Sequence, residues 1–175
     1  MQHLIAKSQQ KRAESDKGFT LIELLVVVVI IGILVAIAVP VYLNYRKGAL
    51  NKAAQSDIRA AISTVEQFYS ENGNAYPGTA GTAVASASGI LTLTGTVPAG
   101  SPTGTTAPSV TSNVSAGNEV SYLLVAAASG NPAFYMLCAR NVDANKFFVY
   151  NGLKGGSVKE AAGQADMAAC LAGNR

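Results

Sequence analysis

The sequence predicts an α+β chain, in which one long N-terminal α-helix spans a membrane with its first half and packs its second half against a small antiparallel β-sheet head. Three observations carry this reading. Sixteen residues from Leu24 to Val39 run without a charge. Beyond Pro40, apolar residues recur at helical spacing as far as Asn72. From Glu119 onward, three short apolar runs follow one another, separated by turn-forming residues.

Residues 1–18, MQHLIAKSQQKRAESDKG, are polar and basic and read as a cytoplasmic leader, with Lys7, Lys11, Arg12 and Lys17 favouring an N-in, C-out orientation. A helix from Phe19 to Val39 would measure roughly 30 Å, the thickness of a bilayer's hydrocarbon core. Its one acid, Glu23, costs about 2.5–3.5 kcal/mol at a bilayer centre and needs a compensating partner. Were the chain cut after Gly18, the new amine of Phe19 would supply one, reaching Glu23 of a neighbouring subunit as helices pack side by side. The alternative is a simple single-span anchor with Glu23 near the interface. Ala36-Ile37-Ala38 also fits a secretory cleavage site, which would release a soluble protein starting at Val39. That reading leaves Glu23 and the Gly18–Phe19 junction unexplained.

From residue 46 the helix continues as an amphipathic segment. Ile58, Ile62, Val65 and Phe68-Tyr69 recur every three or four residues, with Lys52, Asp57, Arg59, Glu66 and Glu71 on other faces. Gly73 is a stop signal, and Tyr76-Pro77 resists resumption. Residues 78–118 are dominated by Gly, Ala, Ser, Thr and Pro without a charge, and little in them can build a core. Ile90–Thr94 alternates and predicts a short strand; the rest reads as surface loop, with Asn113-Val114-Ser115 a formal glycosylation sequon. Runs at 119–127, 133–140 and 146–150 predict an antiparallel meander whose inner face covers Ile58, Ile62 and Val65. The tail, 157–175, is Ala- and Gly-rich, with a helical turn expected around Val158–Ala162.

Cys138 and Cys170 are the two cysteines. Outside the cytoplasm a bridge between them is the first expectation, and closing a loop of about thirty residues would contribute roughly 3–4 kcal/mol. Two buried thiols, or a metal pair lacking a histidine, are the alternatives. The 49% hydrophobic and 13% charged composition leaves a net charge of +3 on 175 residues. Four of the basic residues precede Phe19, so the remainder is close to neutral and implies no basic face for nucleic acid. Local patches on an assembled polymer leave DNA binding open. The single histidine is His3; a Ser-His-Asp or Cys-His pair cannot form after the leader, and no enzyme, cofactor or metal is implied. Asn141, Asp143 and Asn145 offer oxygens to calcium, but their alternation is more readily turn chemistry.

Lys17 and Gly18-Phe19-Thr20-Leu21-Ile22-Glu23, followed by the long apolar run, resemble the processing site of the type IV pilin family, which includes pilus subunits and the pseudopilins of type II secretion and competence systems. The resemblance implies cleavage between Gly18 and Phe19 by a prepilin peptidase, N-methylation of Phe19, and an assembly role for Phe19 and Glu23. Gly32 and Pro40 match positions between which the family's helix loosens in filaments. A disulfide-bounded C-terminal region in many pilins matches the Cys138 and Cys170 pair. The implied organisation is a cleaved leader (1–18), a hydrophobic membrane and polymerisation helix (19–45), an amphipathic continuation (46–72), a connecting loop (73–118) and a sheet head (119–175). The implied product is an extracellular pilus, a homopolymer of chains first stored in membrane lipid and served by an assembly platform and ATPase; adhesion, twitching motility or DNA uptake would belong to that system. A major pseudopilin is the nearest alternative. A soluble secreted binding protein cleaved after Ala38 is the alternative from another class, and a hydrolase anchored by one span ranks last.

Overall fold

The computed structural model of the protein describes residues 18–97, 100–128 and 130–174. The expected leader before Gly18, including His3 and its four basic residues, lies outside the described residues. The chain divides into two compact units, Met1–Asn44 and Tyr45–Arg175, each described by itself.

Helix α1, Leu21–Glu71, includes both Gly32 and Pro40. In the first unit its apolar side chains are all exposed. Val26 to Ile31 is β-branched throughout and has modest helix propensity in water. A helix is what an apolar solvent imposes, because every backbone group must then find its partner within the segment.

In the second unit α1 buries Ala54, Asp57, Ile58, Ala61, Val65 and Phe68, a stripe at three- and four-residue spacing. Ile62 is half-buried at its margin. The helix closes where expected. Gly73 and Asn74 take φ of +64° and +61°, and the Asn74 N–H donates to the Tyr69 carbonyl at 3.0 Å. A left-handed residue pair of this kind turns the chain so that late carbonyls stay satisfied.

Seven strands follow: β1 (Ala83–Ala85), β2 (Ile90–Thr94), β3 (Ser109–Asn113), β4 (Asn118–Val125), β5 (Phe134–Asn141), β6 (Phe147–Asn151) and β7 (Lys159–Ala161). A five-stranded antiparallel sheet has the order β1-β4-β5-β6-β7, and β2 pairs with β3 separately. The β4-β5-β6 meander is the expected one. Strand β5 is buried on both faces, as a nearly continuous apolar run implies. Tyr135, Leu137 and Ala139 join Ile58 and Val65 in one cluster, while Phe134, Met136 and Cys138 join Cys170 and Leu171 in a second. The second cluster is closed by helix α2, Met167–Gly173, whose N-cap Asp166 accepts from the Ala169 N–H at 2.7 Å.

Two expectations need correction. Residues 78–118 do contribute to the core: Leu91 and Leu93 are fully buried and Val114 nearly so, because alternation in β2 directs both leucines onto the helix-side cluster. The segment also forms β1 and β3 in addition to the expected β2. Around Val158–Ala162 the chain forms strand β7 where a helical turn was expected, since pairing Val149 with Lys159 and Phe147 with Ala161 extends the sheet by one edge.

Cys138 and Cys170 are disulfide-bonded, with Cα atoms 6.3 Å apart and a sequence separation of 32. The bond ties α2 to the central strand β5. Cys138→Ser is expected to lower the melting temperature of the head under oxidising conditions, through a loss of about 2–5 kcal/mol. A melting curve unchanged from that of the parent chain would remove the bridge's stabilising role.

Candidate assembly helix and head network

The described chain enters α1 through a non-helical Gly18-Phe19-Thr20. Thr20 and Glu23 form a reciprocal cap: the Glu23 carboxylate accepts from the Thr20 N–H at 2.9 Å and from its hydroxyl at 2.8 Å, while the Glu23 N–H approaches Thr20 Oγ1 at 3.3 Å. This is the capping-box arrangement, which satisfies backbone donors that a helix start leaves without partners. A carboxylate in the first turn also complements the positive end of the helix dipole. Beyond it, Phe19 and Leu21 are 82% and 84% exposed, and the exposed apolar surface extends as far as Leu43. So large an apolar surface on a helix long enough to cross a membrane requires lipid or other helices around it.

In the second unit, a buried polar chain fastens α1 to two turns of the head. Asp57, 7% exposed on the packed face of the helix, accepts from the Ser115 N–H and hydroxyl at 2.9 Å each and from Asn118 Nδ2 at 2.6 Å. Asn118 Oδ1 accepts from Asn141 Nδ2 at 2.6 Å, and Asn141 Oδ1 accepts from the Asp143 N–H at 3.0 Å. Gly117 lies beside this chain with φ +75°, and a Cβ there would stand 3.3 Å from Asn141 Nδ2. Asp57→Ala would leave the Ser115 and Asn118 donors without their acceptor, at about 1–3 kcal/mol for each buried group left unpaired. Thermal unfolding of the variant should show a clearly lowered midpoint; an unchanged one would mean that water replaces the carboxylate without cost.

The aromatic residues are also concentrated. Tyr135 sits between Tyr76, Tyr122 and Tyr150, with ring centroids 5.3–6.0 Å away, and its hydroxyl donates to Glu66 at 2.6 Å. Burial, and then the hydrogen bond to Glu66, hold that hydroxyl well above the usual phenol range. Tyr122 is raised chiefly by burial and donates to the Pro77 carbonyl at 2.8 Å. Both phenols therefore remain neutral donors and serve as polar anchors within the core.

Residues 15–39 match the family described as "Prokaryotic N-terminal methylation motif". The type IV major pilin protein PilA of Myxococcus xanthus is 41% identical over 56 residues, covering 32% of this chain and 26% of that protein. The type II secretion system core protein G of Pseudomonas aeruginosa is 43% identical over 70 residues, covering 40% of this chain and 47% of that protein. For the type IV major fimbrial protein FimA of Dichelobacter nodosus the identity is 45% over 69 residues, 38% of this chain and 44% of that protein. The chain is thus similar to type IV pilins and to a type II secretion core protein over 32–40% of its length. Its matches span less than half the length of each of these relatives, and no solved structure matches it.

The residues singled out from sequence fall into three places. Gly18, Phe19 and Glu23 lie together at the helix start, Gly32 and Pro40 lie within α1, and Cys138 and Cys170 are joined across the head. The Asn141 and Asp143 side chains are engaged in the turn and in an ion pair of Asp143 with Arg46 at 3.3 Å, and Asn145 has φ +53°. That is turn chemistry. The sequon is divided: Asn113 is exposed on β3, whereas Ser115 is bonded to Asp57. Sequence reasoning missed the Thr20–Glu23 cap and the partners of Asp57. The Thr-x-x-Glu spacing was a signal for the first; nothing local marked Ser115 and Asn118 for the second.

Proposed function

We propose that the chain is a structural subunit of an extracellular type IV pilus, stored in the cytoplasmic membrane with its N-terminus inside, cut between Gly18 and Phe19, N-methylated at Phe19 and assembled through its N-terminal helix. The observation that carries this reading is a long exposed apolar helix headed by the methylation motif. In lipid the helix surrounds itself with acyl chains; in a filament other copies of the same helix replace them. Glu23 is then the charged group that meets the new amine of Phe19 on a neighbouring subunit. Gly32 and Pro40 weaken the backbone ladder between them, through a propensity cost of about 1 kcal/mol for Gly and a missing donor at Pro. The partners implied are further copies of the chain, a prepilin peptidase, an assembly ATPase and a membrane platform protein; adhesion, twitching or DNA uptake would be properties of the whole system. Catalysis forms no part of this function.

A second reading, a major pseudopilin, is favoured by the similarity to core protein G. Intact mass and N-terminal sequence of the protein in filaments sheared from cells test both. Abundant filaments whose subunits start at methylated Phe19 support the pilus; processed chains with no long surface fibres support the pseudopilin. A soluble chain starting at Val39 would overturn both, and make the apolar stretch a secretion signal.

A further inference from the structure

The sequence holds two asparagines followed by glycine, Asn72-Gly73 just past α1 and Asn151-Gly152 at the end of β6. Such a pair is chemically labile, because glycine has no side chain to keep its backbone nitrogen away from the preceding side-chain amide. The fold treats the two pairs oppositely. Asn151 is 9% exposed; its Oδ1 accepts from the Leu153 and Lys154 N–H groups at 3.0 and 3.2 Å, and its Nδ2 donates to the Asn174 carbonyl at 2.9 Å. The nitrogen that would attack it, that of Gly152, donates to the Tyr135 carbonyl at 2.9 Å. At the other pair, Asn72 is half-buried and Gly73 exposed. Nδ2 of Asn72 donates to the Phe68 carbonyl at 2.9 Å. Among the described residues this is the one bond of the Asn72 amide, and the Gly73 N–H makes none. Both residues line an open cleft of about 540 Å³ with Phe68, Tyr76 and Pro108, so water reaches them.

We propose that Asn72 is a site of spontaneous deamidation, a covalent modification from which the fold protects Asn151. Hydroxide removes the Gly73 N–H proton, and the nitrogen attacks Cγ of Asn72. The new N–Cγ bond closes a cyclic imide, the Cγ–Nδ2 bond breaks, and the leaving nitrogen takes a proton from water and departs as ammonia. Water then opens the ring: breaking the new N–Cγ bond gives aspartate, and breaking the original peptide C–N bond gives isoaspartate. No oxidant or reductant takes part. The attack requires the last turn of α1 to open, which helix ends do readily, whereas at Asn151 it requires β6 to separate from β5. The product works against the helix end. A carboxylate at residue 72 cannot donate to the Phe68 carbonyl, stands beside Glu71, and meets the negative end of a helix dipole whose last turn has no basic residue. Isoaspartate also adds a methylene to the main chain there, next to the turn that carries the buried Phe68. Deamidation therefore loosens the end of α1 as the protein ages, whether or not the chain assembles.

The purified chain in detergent, kept warm at mildly alkaline pH and digested at intervals, reports both sites by peptide mass. Exchange of the amide NH2 for OH is expected at Asn72, increasing with time and with pH. Its rate should exceed that at Asn151 by on the order of a hundredfold, since three more hydrogen bonds must open there. After reduction and unfolding in denaturant the two sites should convert at similar rates, because the difference lies in the fold. A native chain that stays unmodified at Asn72, or converts as fast at Asn151, overturns the proposal; so does an Asn151 that lags by the same factor when unfolded. Asn72→Asp, one of the two products, should lower the melting midpoint of the head by a few degrees. An unchanged midpoint would overturn the loosening of the helix end.

Discussion

Glu23→Ala is expected to abolish filaments while leaving the cut between Gly18 and Phe19 largely intact. Two effects converge on this carboxylate. It caps the start of α1 through Thr20, and in the proposed filament it is the counter-charge for the amine of Phe19. Removing the cap alone costs about 0.5–2 kcal/mol, which frays one end of a long helix. Removing the charge leaves an amine without a partner in an apolar surrounding, where ionic groups cost several times more. Glu23→Gln separates the two, because its amide oxygen still accepts from Thr20 but carries no charge. Counting fibres by electron microscopy in both variants gives the answer. Fibre loss in both assigns the role to charge; loss in Glu23→Ala with normal fibres in Glu23→Gln assigns it to the cap, and normal fibres in both would remove Glu23 from assembly.

Leu93→Ala carries the second large effect, and it falls on the head. The side chain is fully buried in the helix-side cluster, from a segment whose composition gives little sign of core. Truncating a buried leucine costs about 2–5 kcal/mol, depending on how far the surroundings collapse into the space. The purified chain in detergent should therefore melt many degrees lower, while Thr92→Ala, an exposed neighbour on the same strand, should barely change the midpoint. Equal melting of Leu93→Ala and the parent would return residues 78–118 to the status of surface loop.

Much of the fold was legible because its signals are local. The charge-free run marked the apolar helix, the spacing of Ile58, Val65 and Phe68 marked its packed continuation, and Asn72-Gly73 marked its end next to Glu71. The three central strands were likewise found close to their observed ends. Pairing was less visible. Lys159–Ala161 has no strand propensity of its own and becomes β7 through hydrogen bonds to β6. The sequence marked Glu23 as an unusual acid, but without its Thr20 partner; it marked Asp57 as polar on the helix, although that residue lies on the packed face among Ala54, Ile58 and Ala61.

The sequence by itself therefore determined the long helix, the position of its acid, the meander and the identity of the two cysteines available to bridge. Those features depend on residues near one another in the chain, where period and composition act directly. Only the tertiary structure decided which elements cover the two faces of β5, that Leu91 and Leu93 belong to the core, and that Ser115 and Asn118 hold the Asp57 carboxylate. The physical reason is that burial and hydrogen bonding depend on what stands opposite: Asp57 finds its donors 58 and 61 residues away, a separation at which no local pattern specifies a partner.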